Sequence, residues 1–397
     1  MAILRVIMAI MYCRSLVTPN SSFFLFGPRG TGKTTWLRAA LPEALWFNLL
    51  LDSDFLPLLG DTRSFRQRVV AAKPGSWIVI DEVQRLPSLL NEVHDLISVH
   101  GKTYRFALSG SSARKLRRLN ANMLAGRAFD RKFFPLTSAE LGTDFELERA
   151  ITFGTLPAVA TDLDDAADIL QSYVGTYLRE EVQQEALVQS LDSFGRFLKV
   201  AALMNGNQLE YSATARDCGV ARKTVERYFA TLVDTLVAFL LPAWQPKLKI
   251  RETNKPKFYF FDAGVVRQIA GKIRTPVHDL ERGHLLETYL LHELRAASSY
   301  LNLGLELSYY GTGEEEVDIV ISQGDFHIGI EIKSSVAWRR ENGRALKKLI
   351  ARKKLAKAIG VYRGDQILKD DTLTVLPVSE FLKRVWSGDL MSLSRDI

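Results

Sequence analysis

Gly27-Pro28-Arg29-Gly30-Thr31-Gly32-Lys33-Thr34 is the stretch on which the reading of this 397-residue chain turns. Its spacing is G-x-x-x-x-G-K-S/T, the pattern of a phosphate-binding loop. Phe23 to Phe26 before it is wholly apolar, as a buried parallel strand is, and Thr35 to Leu41 after it has helical composition up to Pro42. Glycines at 27, 30 and 32 let successive N–H groups turn toward one phosphate, and the following helix adds its positive end. Gly27 through Thr35 are the candidate nucleotide contacts: Gly27, Pro28, Arg29, Gly30, Thr31, Gly32, Lys33, Thr34 and Thr35. Lys33 would reach the β- and γ-phosphates of ATP, and the Thr34 hydroxyl would ligate magnesium.

Working downstream, Trp77-Ile78-Val79-Ile80-Asp81-Glu82 reads as a buried strand that ends in two acids, the expected partner of such a loop. Asp81 would hold the magnesium through water, and Glu82 would orient and deprotonate the attacking water. Leu89 to Val99 is helical by its apolar spacing, and Tyr104 to Ser112 is a further strand with a polar end. There Ser109 or Ser111 would sense a γ-phosphate or simply form a turn. Residues 47 to 76 alternate short apolar clusters with Asp, Pro and Gly.

Composition sets the frame. The hydrophobic content is 47% and the charged content 24%, so the chain is globular, and its length calls for two to four domains. The formal charge is +7, and its excess sits in one place. Arg339, Arg340, Arg344, Lys347, Lys348, Arg352, Lys353, Lys354 and Lys357 stand against Glu341 alone: a solvated helix face or a contact for a polyanion. Cys13 and Cys218 give no disulfide framework and suit a reducing cytosol. The apolar start, Met1 to Tyr12, is interrupted by Arg5 and too short to span a bilayer; it reads as a leading helix or strand with no export. The expected location is cytoplasmic, with no membrane partner.

Toward the C-terminus the pattern turns helical from Ile151 to Ser193, entered by a turn at Gly154-Thr155-Leu156-Pro157, with Tyr173, Tyr177, Val182 and Leu187 near one face of a helical lid. Leu209 to Cys218, Gly219, then Ala221 to Leu232 reads as helix, tight turn and helix. Ala215, Val220, Val225, Tyr228 and Leu232 face a common core, and Arg222, Lys223, Thr224 and Arg227 face outward as a DNA-reading helix would. Two apolar strands, Phe239 to Leu241 and Phe258 to Phe261, flank a basic tip over Lys247 to Lys257 and complete a winged-helix pattern, which serves for DNA or for packing alone.

The last segment carries a second set of chemistry-bearing residues. Gly283 to Ala297 is a helix bearing Glu287, Leu305 to Tyr310 is a strand, and Glu316 to Ile321 and His327 to Lys333 alternate as a hairpin about Gln323-Gly324-Asp325. Alternation puts Glu331 and Lys333 on one face, with Asp318 beside them. Asp318 and Glu331 would bind a magnesium or manganese ion, Glu287 would complete its shell, and Lys333 would orient a nucleophile. His327 is read as a rim residue. The basic helix and the Ala358 to Tyr362 strand give the order α-β-β-β-α-β.

Gly27 to Thr34, Asp81-Glu82-Val83-Gln84, Ser109 to Arg114, Leu124-Ala125-Gly126-Arg127 and Phe134-Pro135-Leu136-Thr137 together resemble a widespread family of bacterial and archaeal AAA-type ATPases. Members join this ATPase to a C-terminal domain related to PD-(D/E)XK nucleases. The resemblance implies a P-loop α/β ATPase domain at 1–150, a helical lid at 151–195, a winged helix at 196–275 and a nuclease-like α/β domain at 276–397. It also implies that Arg127 touches the γ-phosphate of its own or a neighbouring subunit. Val317 stands where the nuclease motif has proline, and no asparagine marks the sensor strand. Two functions follow. One is an ATPase whose nucleotide state controls nucleic-acid binding and cleavage; the other is a non-nucleolytic switch that binds a DNA or protein partner, in either case with oligomer formation open.

Overall fold

In the computed structural model the described residues are 12–111, 124, 126–178, 191–245, 255–312, 315–370 and 372–392. They fall into two compact units, one of residues 13–135 with 234–237, the other of the rest. The first is an α/β unit. β1 (Phe23–Phe26) leads through the glycine-rich loop into α1 (Lys33–Ala40). Then follow β2 (Leu45–Asn48), α2 (Asp52–Gly60), α3 (Arg63–Val70), β3 (Trp77–Asp81), α4 (Leu89–His100), β4 (Arg105–Gly110) and β5 (Phe129–Lys132). The sheet order is β2-β3-β4-β1-β5, and every neighbouring pair is parallel.

A fully parallel sheet needs both faces covered, which is why β1 and the middle of β3 are buried at every position. Phe24, Phe26, Phe47, Ile78, Ile80, Phe106 and Leu108 join Leu89, Val93 and Leu96 of α4 in one core. Each such side chain contributes about 1.5–3 kcal/mol on burial. The short helices α2 and α3 lie in the stretch where the sequence pattern alone gives no elements. Pro57 inside α2 and the Asp-rich start hide its period, yet Leu58, Phe65 and Val69 are buried against β2 and α4. Here packing overrides weak local propensity.

The second unit begins with short helices, α5 (Ser138–Leu141), α6 (Leu147–Phe153), α7 (Pro157–Thr161) and α8 (Ala166–Ser172), followed by a π-helical turn, Tyr173–Leu178. Val182 and Leu187, assigned to the lid face, lie outside the described residues. Gly154, at φ 73°, makes the turn before α7, and a Cβ there would strike the Asp262 carboxyl. That carboxyl accepts the N–H groups of Thr155 (2.8 Å) and Val265 (3.0 Å) and caps α12 (Ala263–Ile269); burial pushes its pKa up to about 6. The intervening elements are α9 (Leu191–Leu203), α10 (Tyr211–Cys218), α11 (Arg222–Asp234), β6 (Ala238–Leu241) and β7 (Lys257–Phe260). Gly219, at φ 66°, turns α10 into α11. Phe194, Phe197, Tyr228, Phe229 and Phe258 form an aromatic core between the helices and the β6-β7 ribbon. Most of the basic tip between these strands lies outside the described residues.

The C-terminal sheet is mixed. α13 (Asp279–Tyr300) precedes β8 (Glu306–Thr312), β9 (Glu315–Gln323) and β10 (Phe326–Lys333), an antiparallel meander. α14 (Arg344–Ala351) crosses to β11 (Lys357–Tyr362), parallel to β10, and β12 (Leu368–Asp370) and β13 (Leu373–Pro377) extend the sheet beyond the last strand expected from the sequence. α15 (Val378–Ser387) and α16 (Asp389–Ser392) close the chain. Glu293 of α13 is fully buried, yet its carboxylate is satisfied by Ser138 N (2.6 Å) and Oγ (3.0 Å), Trp386 Nε1 (2.6 Å) and the Tyr289 hydroxyl. Among the described residues, no helix is long and apolar enough to cross a membrane.

Candidate functional site

Parallel pairing brings the C-terminal ends of β1, β3 and β4 to one sheet edge, with Leu25 opposite Ser109 and Ile80 opposite Leu108. Open α/β sheets bind ligands at that edge. Gly30 and Gly32 have φ of 79° and 89°, and a Cβ on Gly27 would lie 2.1 Å from the Phe133 carbonyl oxygen, so the loop admits no other residue there without shifting. Lys33 folds back over the loop and donates to the carbonyls of Gly27 (2.7 Å) and Pro28 (3.0 Å). Gly32 precedes α1 with no side-chain cap, and the start of a helix is where an anion binds. Arg14, which no motif singles out, braces the loop: it donates to Thr31 O (2.8 Å) and Phe134 O (2.6 Å) and stacks on Phe133 at 4.0 Å. A lone arginine ahead of the first strand carries no sequence signal for that role.

Opposite the loop, Asp81 is fully buried. It accepts the Thr34 hydroxyl on Oδ2 (2.8 Å) and the Ser109 hydroxyl on Oδ1. Glu82 follows in the left-handed region (φ 61°), a conformation that costs a non-glycine residue about 1–3 kcal/mol and here swings its side chain out of the strand direction. Gln84 Nε2 donates to Glu82 Oε2 and to Ser111 Oγ (3.1 Å), so both candidate sensor serines are tied to the acid pair, Ser109 to Asp81 and Ser111 to Glu82. The hydroxyl and carboxylate oxygens of Thr34 and Asp81 are hard donors at one point, a set suited to magnesium.

Arg127 is not brought to this edge. Phe129 N–H donates to Ser22 O (2.9 Å) and Phe129 pairs with Phe23, so Arg127 stands at the N-terminal ends of the strands, beside His94. There it lines an apolar recess of about 350 Å³ with Tyr104 and Phe129. It cannot touch a nucleotide held by its own loop.

The C-terminal residues do assemble, around β9 and β10. Ile330 pairs with Ile319, and one step further the ladder gives way: Asp318 Oδ2 accepts the Ile332 N–H at 2.7 Å. Lys333 donates to Glu331 Oε1 at 2.5 Å, whereas Glu331 Oε2 is buried with no partner. Glu287 accepts Tyr259 Oη and, at 3.4 Å, Lys257 Nζ, which also lies 2.6 Å from Glu316. Lys257 is therefore not part of an exposed tip; it opens β7 and is buried. Burial, reinforced by Asp318, pushes Glu331 up to about 8 and Glu287 up to about 7. For Lys257 and Lys333 burial works against the charge, but neighbouring carboxylates outweigh it and raise both. Among the described residues, no group of three His, Cys, Asp or Glu side chains could hold a metal ion. Of the expected Asp318, Glu331 and Glu287 shell, Glu287 and Glu331 are paired with Lys257 and Lys333, and Asp318 accepts a backbone N–H. His327 bonds to Ser322 (2.8 Å) and packs on Trp244, outside the cluster.

Glu331 and Lys333 line a cleft of about 720 Å³ with Glu315, Arg344, Lys348 and Arg352. The basic helix α14 buries Leu346 and Leu349 and spends part of its charge internally: Lys348 and Arg352 pair with Glu315 at 2.7 and 3.2 Å, and Lys347 pairs with Asp370. On α11, Arg222 and Lys223 are exposed, with Arg222 2.8 Å from Glu226.

The loop, its acid pair and the parallel sheet define an AAA-type P-loop domain, and the chain matches an AAA domain family over residues 19–142. Residues 144–275 and 282–381 match two domains of unknown function, DUF8612 and DUF4143. The chain is similar to uncharacterized proteins of Mycobacterium bovis (Mb2031c) and Mycobacterium tuberculosis (Rv2008c). Each is 26% identical over 383 residues, which is 93% of this chain and 82% of the relative. Among solved structures, protein VC1899 from Vibrio cholerae aligns over 94% of this chain and 97% of its own, at 12% identity and a TM-score of 0.22, too low to carry an argument.

Proposed function

We propose that this protein is a magnesium-dependent ATP-binding and ATP-hydrolysing switch whose C-terminal half engages a DNA or protein partner without cutting it. The observation that carries this reading is the Thr34 hydroxyl 2.8 Å from Asp81 Oδ2, with Glu82 next in sequence and tied to Gln84 and Ser111. Loop N–H groups and the start of α1 would hold the phosphates, and Lys33 would exchange the Gly27 and Pro28 carbonyls for phosphate oxygens. Thr34 and Asp81 would hold magnesium, which when bound would supply positive charge against the charge that develops in phosphoryl transfer. Glu82, fixed by its two partners, would orient water and take its proton. Arg127, remote from its own loop, would serve only toward a neighbouring subunit's nucleotide.

For the C-terminal half, the ordered helix, meander, helix and strand support kinship with the PD-(D/E)XK scaffold. The pairing of its acids with Lys257 and Lys333 favours binding over cleavage. The exposed Arg222 and Lys223 are the residues we assign to a phosphate backbone, since an exposed ion pair such as Arg222 with Glu226 is worth under about 1 kcal/mol and yields readily.

The test measures ATP turnover and duplex-DNA affinity for wild type, Glu82→Gln and Lys33→Ala. Turnover that requires magnesium and DNA affinity that differs between the ATP-loaded Glu82→Gln and Lys33→Ala proteins are expected. Absence of ATP binding would refute the switch, and DNA or RNA cleavage lost in Lys333→Ala would reinstate the nuclease reading.

A further inference from the structure

The C-terminal carboxylates outnumber the cations that their own sheet supplies. Asp318, Glu331 and Glu316 come from β9 and β10, Glu287 from α13, and Lys333 is the sheet's contribution to them. A second cation arrives from a separate element. Lys257, the first residue of β7, is 5% exposed and sets Nζ 2.6 Å from Glu316 Oε1 and 3.4 Å from Glu287 Oε1. Tyr259, two residues on and so on the same strand face, donates its hydroxyl to the same Glu287 oxygen. One carboxylate oxygen remains over: Glu331 Oε2 is buried without a partner, in a residue 8% exposed.

An ammonium and a divalent ion answer the same need, positive charge against several carboxylate oxygens, but they answer it differently. The ammonium brings one charge and three directed N–H donors on a tether, whereas a metal brings two charges and draws oxygens to about 2.0–2.6 Å from all sides. A cluster neutralised by a tethered lysine leaves some oxygen unserved, as Glu331 Oε2 is. Burying charged Glu287 and Glu331 with no cation would cost several kcal/mol per charge.

We propose that Lys257 is the resident cation of this cluster: its ammonium takes the position between the Glu287 and Glu316 carboxylates that a divalent ion would occupy. The folded domain therefore excludes metal and becomes a divalent-cation site only when Lys257 is withdrawn or neutralised. β7 acts through this contact as the element that fills or vacates the position. A merely structural bridge between β7 and α13 would also be destabilised by loss of Lys257, but it would gain no affinity for metal.

Manganese binding distinguishes the two. Nucleotide-free full-length protein is titrated with Mn²⁺ by calorimetry and electron paramagnetic resonance, in wild type, Asp318→Asn, Lys257→Met and the Lys257→Met/Asp318→Asn double variant. Wild type and Asp318→Asn should behave alike. Lys257→Met should bind one further Mn²⁺ at least about tenfold more tightly than wild type does at this cluster, and the double variant should lose it. Its melting temperature should fall without Mn²⁺ and recover with it; a Lys257→Met protein that folds only with Mn²⁺ present supports the proposal equally. A Mn²⁺ site in wild type that Asp318→Asn abolishes would overturn it, as would a folded Lys257→Met that gains no ion. Recovery of fold only by Lys257→Met/Glu287→Gln, and never by Mn²⁺, would also overturn it and leave a structural bridge.

Discussion

Two groups of carboxylates in this protein have similar composition and opposite surroundings. At the end of β3, Asp81 and Glu82 are served by neutral donors, the hydroxyls of Thr34, Ser109 and Ser111 and the amide of Gln84. Around β9 and β10, Glu287, Glu316 and Glu331 are served by the ammonium groups of Lys257 and Lys333. Hydroxyl partners hold an acid in place and leave its charge for an incoming cation; ammonium partners cancel that charge beforehand. Acids in a recognisable order are therefore not enough to define how much charge a site offers an incoming cation. What faces them decides it.

The largest effects are expected at the first group. Glu82→Gln should keep ATP affinity and lose about 10²–10³ in turnover, whereas Lys33→Ala should lose the affinity itself, measured by calorimetry. Lys333→Ala should leave ATP turnover at the wild-type rate; a parallel fall would deny the separation of the two groups. A smaller effect is expected from the hydroxyl that only orients. Ser109→Ala frees Asp81 Oδ1 and should raise the magnesium concentration needed for half-maximal turnover about tenfold, with ATP affinity little changed.

A titration sharpens the second group. Burial, then Asp318, raises Glu331 to about 8 and Glu287 to about 7, far above an unfolded carboxyl at about 4.3. The folded protein therefore binds more protons between these values, so the stability these groups contribute is fully present below about pH 4 and is lost as pH rises through 7 and 8. Glu331→Gln removes one such group. It should melt higher than wild type at pH 9, by about 1–3 kcal/mol of stability, and show no such gain at pH 5, by calorimetric scans. The reverse order would mean that pairing with Lys333 outweighs burial and Asp318 at Glu331. The mildest expected change concerns DNA. Replacing Arg222, Lys223 and Arg227 with Ala should weaken duplex binding and flatten the dependence of log K on log salt by about 2–3, as fewer phosphates are neutralised. An unchanged slope, by fluorescence anisotropy, would assign α11 to packing.

Much of the ATPase unit is legible in the sequence because its signals are local. A glycine-rich loop between an apolar strand and a helix, then an apolar strand that ends in Asp81 and Glu82, needs only neighbours in sequence to be recognised. Strand alternation likewise puts Asp318, Glu331 and Lys333 on one face, since a period of two and a tight hairpin need no distant contact. Tertiary structure alone decided the rest. Which end of the sheet Arg127 occupies depends on strand direction and register; whether Pro57-containing α2 forms depends on the core it covers. Lys257, sixty-one residues before Asp318 in a stretch that reads as a basic tip, becomes the counter-ion of Glu287 only because β7 packs beside α13. Sequence period determines which residues share a face, since it follows from backbone geometry, but the charge across from that face is supplied by distant segments and is set by packing.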